Sequence, residues 1–118
     1  GMVGARNASA AGVRFTRQLA ADLGERGYVI VSGLARGIDT AAHAAALPTG
    51  TIAAMAGGID VIYPPENRAL YERVAAEGLI VCEMPLGLKP LARHFPRRNR
   101  LISGLSLGIV VVEAALRS

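Results

Sequence analysis

Three glycines punctuate the chain in the same way. Gly27, Gly50 and Gly78 each follow a segment that reads as helix, and each precedes a short apolar run: Tyr28–Val31, Thr51–Met55 and Leu79–Cys82. A glycine just past a helix takes the left-handed conformation that ends it and turns the chain back. Apolar runs without polar alternation are strands covered on both faces, as in a parallel sheet. The repeat therefore predicts an α/β domain: an open parallel sheet with helices on both faces and right-handed crossovers.

Five strands are expected: a short one near Met2–Gly4, the three runs above, and Leu107–Glu113. The helices read as Ser9–Arg26, Ile38–Leu47 and Asn67–Glu77. In the first, Phe15, Leu19 and Leu23 recur every four residues and predict the buried stripe, with Ser9 or Asn7 as cap. The stretch Leu86–Gly104 reads as a basic loop. A sheet that opens on so short a strand reads as truncated, a piece of a larger protein.

The 118 residues allow one domain. A hydrophobic fraction of 52% with 19% charged residues excludes a disordered chain. No apolar run approaches the roughly 20 residues of a membrane span, and no secretory signal is visible, so no membrane partner is expected. Cys82 is the single cysteine, which excludes an internal disulfide and predicts the reducing cytoplasm. Two His and one Cys show no metal-ligand spacing, so no metal or cofactor is expected.

The net charge is +4, and it is focused. Between Leu86 and Gly104 lie Lys89, Arg93, Arg97, Arg98 and Arg100, with no acid among them; elsewhere basic and acidic residues nearly cancel. Twelve of the thirteen basic residues are Arg, which suits bidentate phosphate recognition. A focused positive field is what a phosphate-binding surface requires.

Ligands of open parallel sheets bind outside the carboxyl ends of the strands. Those ends carry Gly4-Ala5-Arg6, then Ser32-Gly33-Leu34-Ala35-Arg36-Gly37, then Gly57-Gly58, then the basic stretch. The expected phosphate contacts are Arg6, Ser32, Gly33, Gly37, Gly57, Gly58, Lys89, Arg93, Arg97, Arg98 and Arg100. Small residues let backbone N–H groups approach an anion at a helix N-terminus. Asn99 is expected to bond a base or backbone group, and Phe95 to stack on a base. Blander readings stand beside these: a tight turn with Asp39 capping its helix, a solvated arginine turn, and Phe95 packing the loop down. Tyr63-Pro64-Pro65-Glu66-Asn67 reads as a rigid turn into a helix cap. Glu83 and Glu113 are expected to orient arginines. Ser32, Asp39 and His43 permit a triad on paper, but no nucleophile elbow accompanies them and no catalysis is expected.

Several long motifs occur in order: VGAR (Val3–Arg6), SGLARGID (Ser32–Asp39), TIAAMAGGIDVIYPPEN (Thr51–Asn67), CEMPLG (Cys82–Gly87), FPRRNRLISGLS (Phe95–Ser106) and VVVEA (Val110–Ala114). Together they resemble the central domain of the DNA-processing protein A family (DprA/Smf), over essentially the whole chain. The resemblance implies a Rossmann-like domain that binds single-stranded DNA without sequence preference. It implies protection of incoming DNA during natural transformation, loading of the RecA recombinase, no catalysis and no cofactor. It places the DNA pocket on Arg6, Ser32, Gly33 and Arg97–Arg100. It also implies a helical domain before this one, a winged-helix domain after it, and a homodimer contact beyond Ser118. Ala5 departs from the family's usual Ser, and Ala56 from a common Gly. Two other readings of the same sheet are a mononucleotide-binding domain and a nucleotide phosphoribohydrolase. The second needs Pro-Gly-Gly-x-Gly-Thr-x-x-Glu, where this chain has Ala56-Gly57-Gly58-Ile59-Asp60 and no Glu.

Overall fold

The structure is a computed structural model and describes residues 1–114. Five short strands are β1 (Met2–Gly4), β2 (Ile30–Ser32), β3 (Thr51–Met55), β4 (Leu79–Cys82) and β5 (Val110–Val112). Four helices are α1 (Ala10–Glu25), α2 (Ile38–Ala46), α3 (Arg68–Glu77) and α4 (His94–Gly104), with a single 3-10 turn over Pro65–Asn67. Every ladder is parallel: β2 pairs with β3, β3 with β4, and β1 with β5. β1 lies beside β2, where the Ser32 hydroxyl donates to the Met2 carbonyl at 2.6 Å. The three-stranded ladder β2-β3-β4 and the two-stranded ladder β1-β5 thus lie side by side, in the spatial order β4-β3-β2-β1-β5, with no backbone ladder between β1 and β2.

Alternate residues of each strand face opposite ways. Met2, Ile30, Ala53 and Met55 pack against α1, α2 and α3, through Ala20, Ala42, Ala46, Leu47 and Val74. Val31, Ala54, Val3, Ile52 and Val81 pack on the other face against Ile102 and Leu101 of α4. Helices thus cover both faces, as the apolar runs predict. The handedness rule explains why α4 stands alone. The chain steps β1 to β4 in one direction, then crosses back past β1 to reach β5, so the last crossover lies on the opposite face. The reversal leaves a crevice at the carboxyl ends of the strands.

Several local expectations are corrected. The buried stripe of α1 is Gly12, Thr16, Ala20 and Gly24, not Phe15, Leu19 and Leu23. Small residues at four-residue spacing let α1 lie close on α2, so Leu19 and Leu23 only flank the core and Phe15 points outward. The basic loop is in large part helix α4. Its inward positions are His94, Arg98 and Ile102, and two polar side chains in that series hide the apolar period. Gly27 and Gly50 have positive φ, as helix-ending glycines should, but Gly78 does not, with φ −130° and ψ −137°. Space selects it instead: a Cβ there would stand 2.5 Å from the Thr51 carbonyl. The final strand is shorter than Leu107–Glu113, because Leu105–Ile109 turns the chain without entering the ladder.

Candidate functional site

The strand ends meet the start of α4 in one narrow concave pocket, open to solvent. Arg6 follows β1, Gly33 follows β2, Gly57 follows β3, and Phe95 and Arg98 come from α4; Tyr63 closes the side. An adjoining groove runs from Gly4 and Arg6 toward Pro96 and Asn99. The sequence expectation and the geometry thus converge on one edge of the sheet, but the roles of the residues divide.

Arg98 is the main departure. It is 7% exposed. Its guanidinium donates to the Gly33 carbonyl at 2.6 Å and the Ala54 carbonyl at 2.9 Å, and its Nε donates to Asn99 Oδ1. It therefore ties the ends of β2 and β3 together rather than reaching into solvent. Burial lowers its pKa, the Asp39 carboxylate nearby opposes that, and the Arg6 guanidinium adds to it. Gly33 is required by this contact, since a Cβ would lie 2.5 Å from the guanidinium carbon.

The loop after β2 does not offer the amide cradle expected of it. Gly33 N–H and Ala35 N–H both donate to Asp39 Oδ2, and Leu34 N–H donates to His43 Nε2 at 3.2 Å. The Ser32 hydroxyl is buried against β1. Asp39 does not cap its own helix; it closes the loop that precedes it. Asn67 likewise leaves its helix uncapped and donates instead to the Leu34 carbonyl at 2.9 Å and to Thr40 Oγ1. Leu34, in between, has φ 58° and a fully buried side chain. A left-handed leucine costs about 1–2 kcal/mol, so Asp39, His43 and Asn67 form the clamp that holds it. Gly37 then turns the chain into α2 at φ 76°, with the Ala5 and Arg6 backbone where a Cβ would sit.

The clamp fixes its own protonation. His43 Nε2 accepts from Leu34, so Nδ1 carries the proton and donates to Thr51 Oγ1 at 2.7 Å; Thr51 in turn donates to the Ile30 carbonyl. Burial, with the Arg98 charge added, depresses the His43 pKa to about 3. Burial also raises the Asp39 pKa, against the pull of Arg98 and its hydrogen bonds. Ser32, Asp39 and His43 are therefore spent on structure. No Ser–His pair forms, and the paper triad has no counterpart in space.

Gly58 is also turned inward: its N–H donates to the Leu88 carbonyl, while Gly87 N–H donates to Asp60. These bonds clasp the loop after β3 to the loop after β4. Gly57 remains on the pocket wall. Glu83 pairs with Arg100 at 2.8 Å, as expected of it. Glu113 does not orient an arginine; it accepts from Ser9 N–H and Ser9 Oγ at the start of α1. Those bonds lower its pKa.

Two aromatic rings line the pocket. Arg6 lies over the Phe95 ring at 5.2 Å from its centroid and Arg98 at 5.6 Å. Phe95 is thus already engaged by cations. Tyr63 sits 5.7 Å from Phe95, tilted, and is 42% exposed. It is the more available ring, although the sequence around it reads as a rigid turn and offers only an aromatic beside two prolines as a sign of this role. Arg36, also on the wall, pairs with Glu66. Lys89, Arg93 and Arg97 are exposed and adjoin in sequence Pro90, Ala92 and Pro96, which line the crevice. Among the described residues no three His, Cys, Asp or Glu side chains gather as a metal site, and no helix is long and apolar enough to cross a membrane.

A parallel sheet with reversed strand order, carrying an arginine-rimmed crevice at its carboxyl edge, defines a Rossmann-like ligand-binding domain. Comparison with known proteins narrows the class. The family model for DNA recombination-mediator protein A matches residues 1–118. The chain is 49% identical over 120 residues to the Smf protein of Synechocystis, spanning all of this chain and 30% of that one. It superposes on DNA processing protein A from Streptococcus pneumoniae with TM-score 0.88 at 41% identity, over 99% of this chain and 42% of that one. It superposes on DNA processing protein A from Helicobacter pylori, solved for its single-stranded DNA binding mode, with TM-score 0.92 at 35% identity, over 99% of this chain and 55% of that one. The chain belongs to the DNA recombination-mediator protein A family, and it spans between about a third and about half of these relatives.

Proposed function

We propose that this domain binds single-stranded DNA, without sequence preference, in the crevice at the carboxyl ends of β1–β3. The observation that carries the reading is the pairing of cations with rings in one pocket: Arg6 and Arg98 beside Phe95 and Tyr63. Phosphates meet Arg6, Arg93, Arg97 and Lys89 on the rim, and Arg100 once it exchanges Glu83 for a phosphate. Bases stack on Tyr63 and the edge of Phe95. Stacking tolerates any base, because every base has a π-face. The residue best suited to read a base edge, Asn99, has its amide oxygen occupied by Arg98. Arg98 contributes charge from below rather than a direct contact. Single-stranded DNA binding by the Helicobacter pylori relative supports this reading.

In this reading the domain is a non-catalytic binding module in the cytoplasm. The longer proteins that contain it shield incoming DNA during uptake, pair as homodimers and load RecA on the strand; the family's description as a recombination mediator supports that assignment. The test is competition. A labelled oligo-dT bound to the chain should be displaced by unlabelled single strand, weakly by duplex, and not by deoxythymidine monophosphate at equal nucleotide concentration. Displacement by the mononucleotide at equal or lower concentration supports the nucleotide-pocket reading instead. Release of free base from a nucleoside monophosphate supports the phosphoribohydrolase.

A further inference from the structure

We propose that Arg36 is a further phosphate contact of the crevice, held by Glu66 until a strand takes the place of that carboxylate; the proposal rests on the reading just given. Arg36 lines the same pocket as Arg6, Tyr63, Phe95 and Arg98. Its backbone is fixed on both sides. Gly37, the next residue, turns into α2 with the Ala5 and Arg6 backbone against it. Ala35, the residue before, donates its N–H to Asp39. In the free protein Arg36 Nε stands 2.8 Å from Glu66 Oε2, and both side chains are more than half exposed. Glu66 belongs to the 3-10 turn that follows Tyr63 and Pro64, which also line the pocket. The ion pair thus joins the loop after β2 to the turn that carries Tyr63.

Stability does not account for this pair. Asn67, the residue after Glu66, already ties the same two segments together. It is buried, and it donates to the Leu34 carbonyl at 2.9 Å and to Thr40 Oγ1 at 3.0 Å. An ion pair so exposed adds little, because water screens it and two long side chains must be ordered to make it. Its place on the pocket wall matters more to a ligand. A carboxylate and a phosphodiester offer a guanidinium the same two-oxygen edge, so Glu66 stands in for a phosphate on Arg36. A carboxylate beside an anion site repels the anion unless a cation holds it. Arg36 does so in the free protein, through a contact weak enough for a strand to break. Once one phosphate is anchored on Arg6, its neighbour meets Arg36 at high effective concentration. The exchange needs only side-chain rotation, since both groups face solvent.

Glu66→Gln and the double variant Arg36→Ala/Glu66→Gln separate this role from a structural one. The double variant removes one charge of each sign, so the net charge stays the same. If the pair is a bystander, affinity for a labelled oligo-dT and its salt dependence stay as in the parent chain. The proposal predicts a several-fold loss of affinity for the double variant. Its slope in log salt should be shallower by about 0.7, for one lost phosphate contact. Glu66→Gln alone should bind several-fold more tightly than the parent, with a slope no shallower, because Arg36 is already released. A double variant that matches the parent overturns the proposal. So does a Glu66→Gln variant that binds more weakly, or a double variant whose urea midpoint falls, since either makes the pair a staple of the wall. If the parent chain does not bind oligo-dT, the reading of the crevice fails and this proposal with it. A parent that binds and a double variant that matches it sink this proposal alone.

Discussion

Arg98 and Arg97 are neighbours in sequence with opposite fates. Arg97 is exposed, whereas Arg98 is buried on two carbonyls beside Asp39. Removing the buried guanidinium leaves the Gly33 and Ala54 carbonyls without their donor, at about 1–3 kcal/mol for each buried group left unpaired. Arg98→Ala should therefore lose about 3 kcal/mol of stability in urea unfolding, while Arg97→Ala stays within about 0.5 kcal/mol and loses DNA affinity instead. Equal destabilisation by both changes would contradict the assignment. His43 gives a pH signature. Its folded pKa of about 3 lies below the ordinary 6.5, so protons bind the unfolded chain better. The stability it contributes is complete above about pH 7 and is lost as pH falls toward 3. Between pH 7 and 5 the loss should be about 2 kcal/mol, at about 1.4 kcal/mol per unit. Glu113 acts in the same sense at lower pH, and Asp39, with its raised pKa, acts against it. His43→Gln should flatten the profile; an unchanged profile contradicts a buried neutral imidazole. These roles could not be read from the residues alone. Sequence places Ser32, Gly33 and Arg98 at the right edge, but whether a polar group faces ligand or backbone depends on partners far along the chain, such as Asn67.

At the scale of elements, the strands were the most legible part. Their apolar runs are unbroken, and β1, β3 and β4 fall where the sequence puts them; β2 is displaced from Tyr28–Val31 to Ile30–Ser32, since Tyr28 and Val29 are exposed before the ladder begins, and β5 is shorter than expected. Helices α1 and α4 were less legible for opposite reasons. α1 has a strong apolar stripe that is not its core, because close packing on α2 favours small residues over large ones. α4 has no apolar stripe at all, because Arg98 and His94 occupy core positions. The tight α1 interface carries one fault. The Thr16 hydroxyl is buried without a hydrogen-bond partner. Thr16→Val keeps the shape and removes the unpaired group, so it should stabilise the fold by about 1 kcal/mol, seen as a higher urea midpoint at constant slope. Destabilisation would mean that the hydroxyl has a partner after all.

Over the whole molecule, the sheet order, the crossover of α4 and the charge distribution point to one edge. The strand reversal opens the crevice there, the helices begin there, and Arg6, Phe95 and Arg98 line it. Composition foreshadowed this through an acid-free stretch of five basic residues. It could not show that one of them is buried, nor that Tyr63 would join the wall. The central claim, that rim cations hold a single strand by its phosphates, is tested most directly by salt. Fluorescence anisotropy of a labelled oligo-dT across salt concentrations should give a slope of roughly −2 to −3.5 in log affinity, for three to five phosphates at about −0.7 each. An Arg6→Ala/Arg93→Ala/Arg97→Ala variant, which spares Arg98 and so keeps the fold, should bind more weakly with a slope shallower by about 2. A folded variant that binds with the parent's affinity and slope would contradict the account.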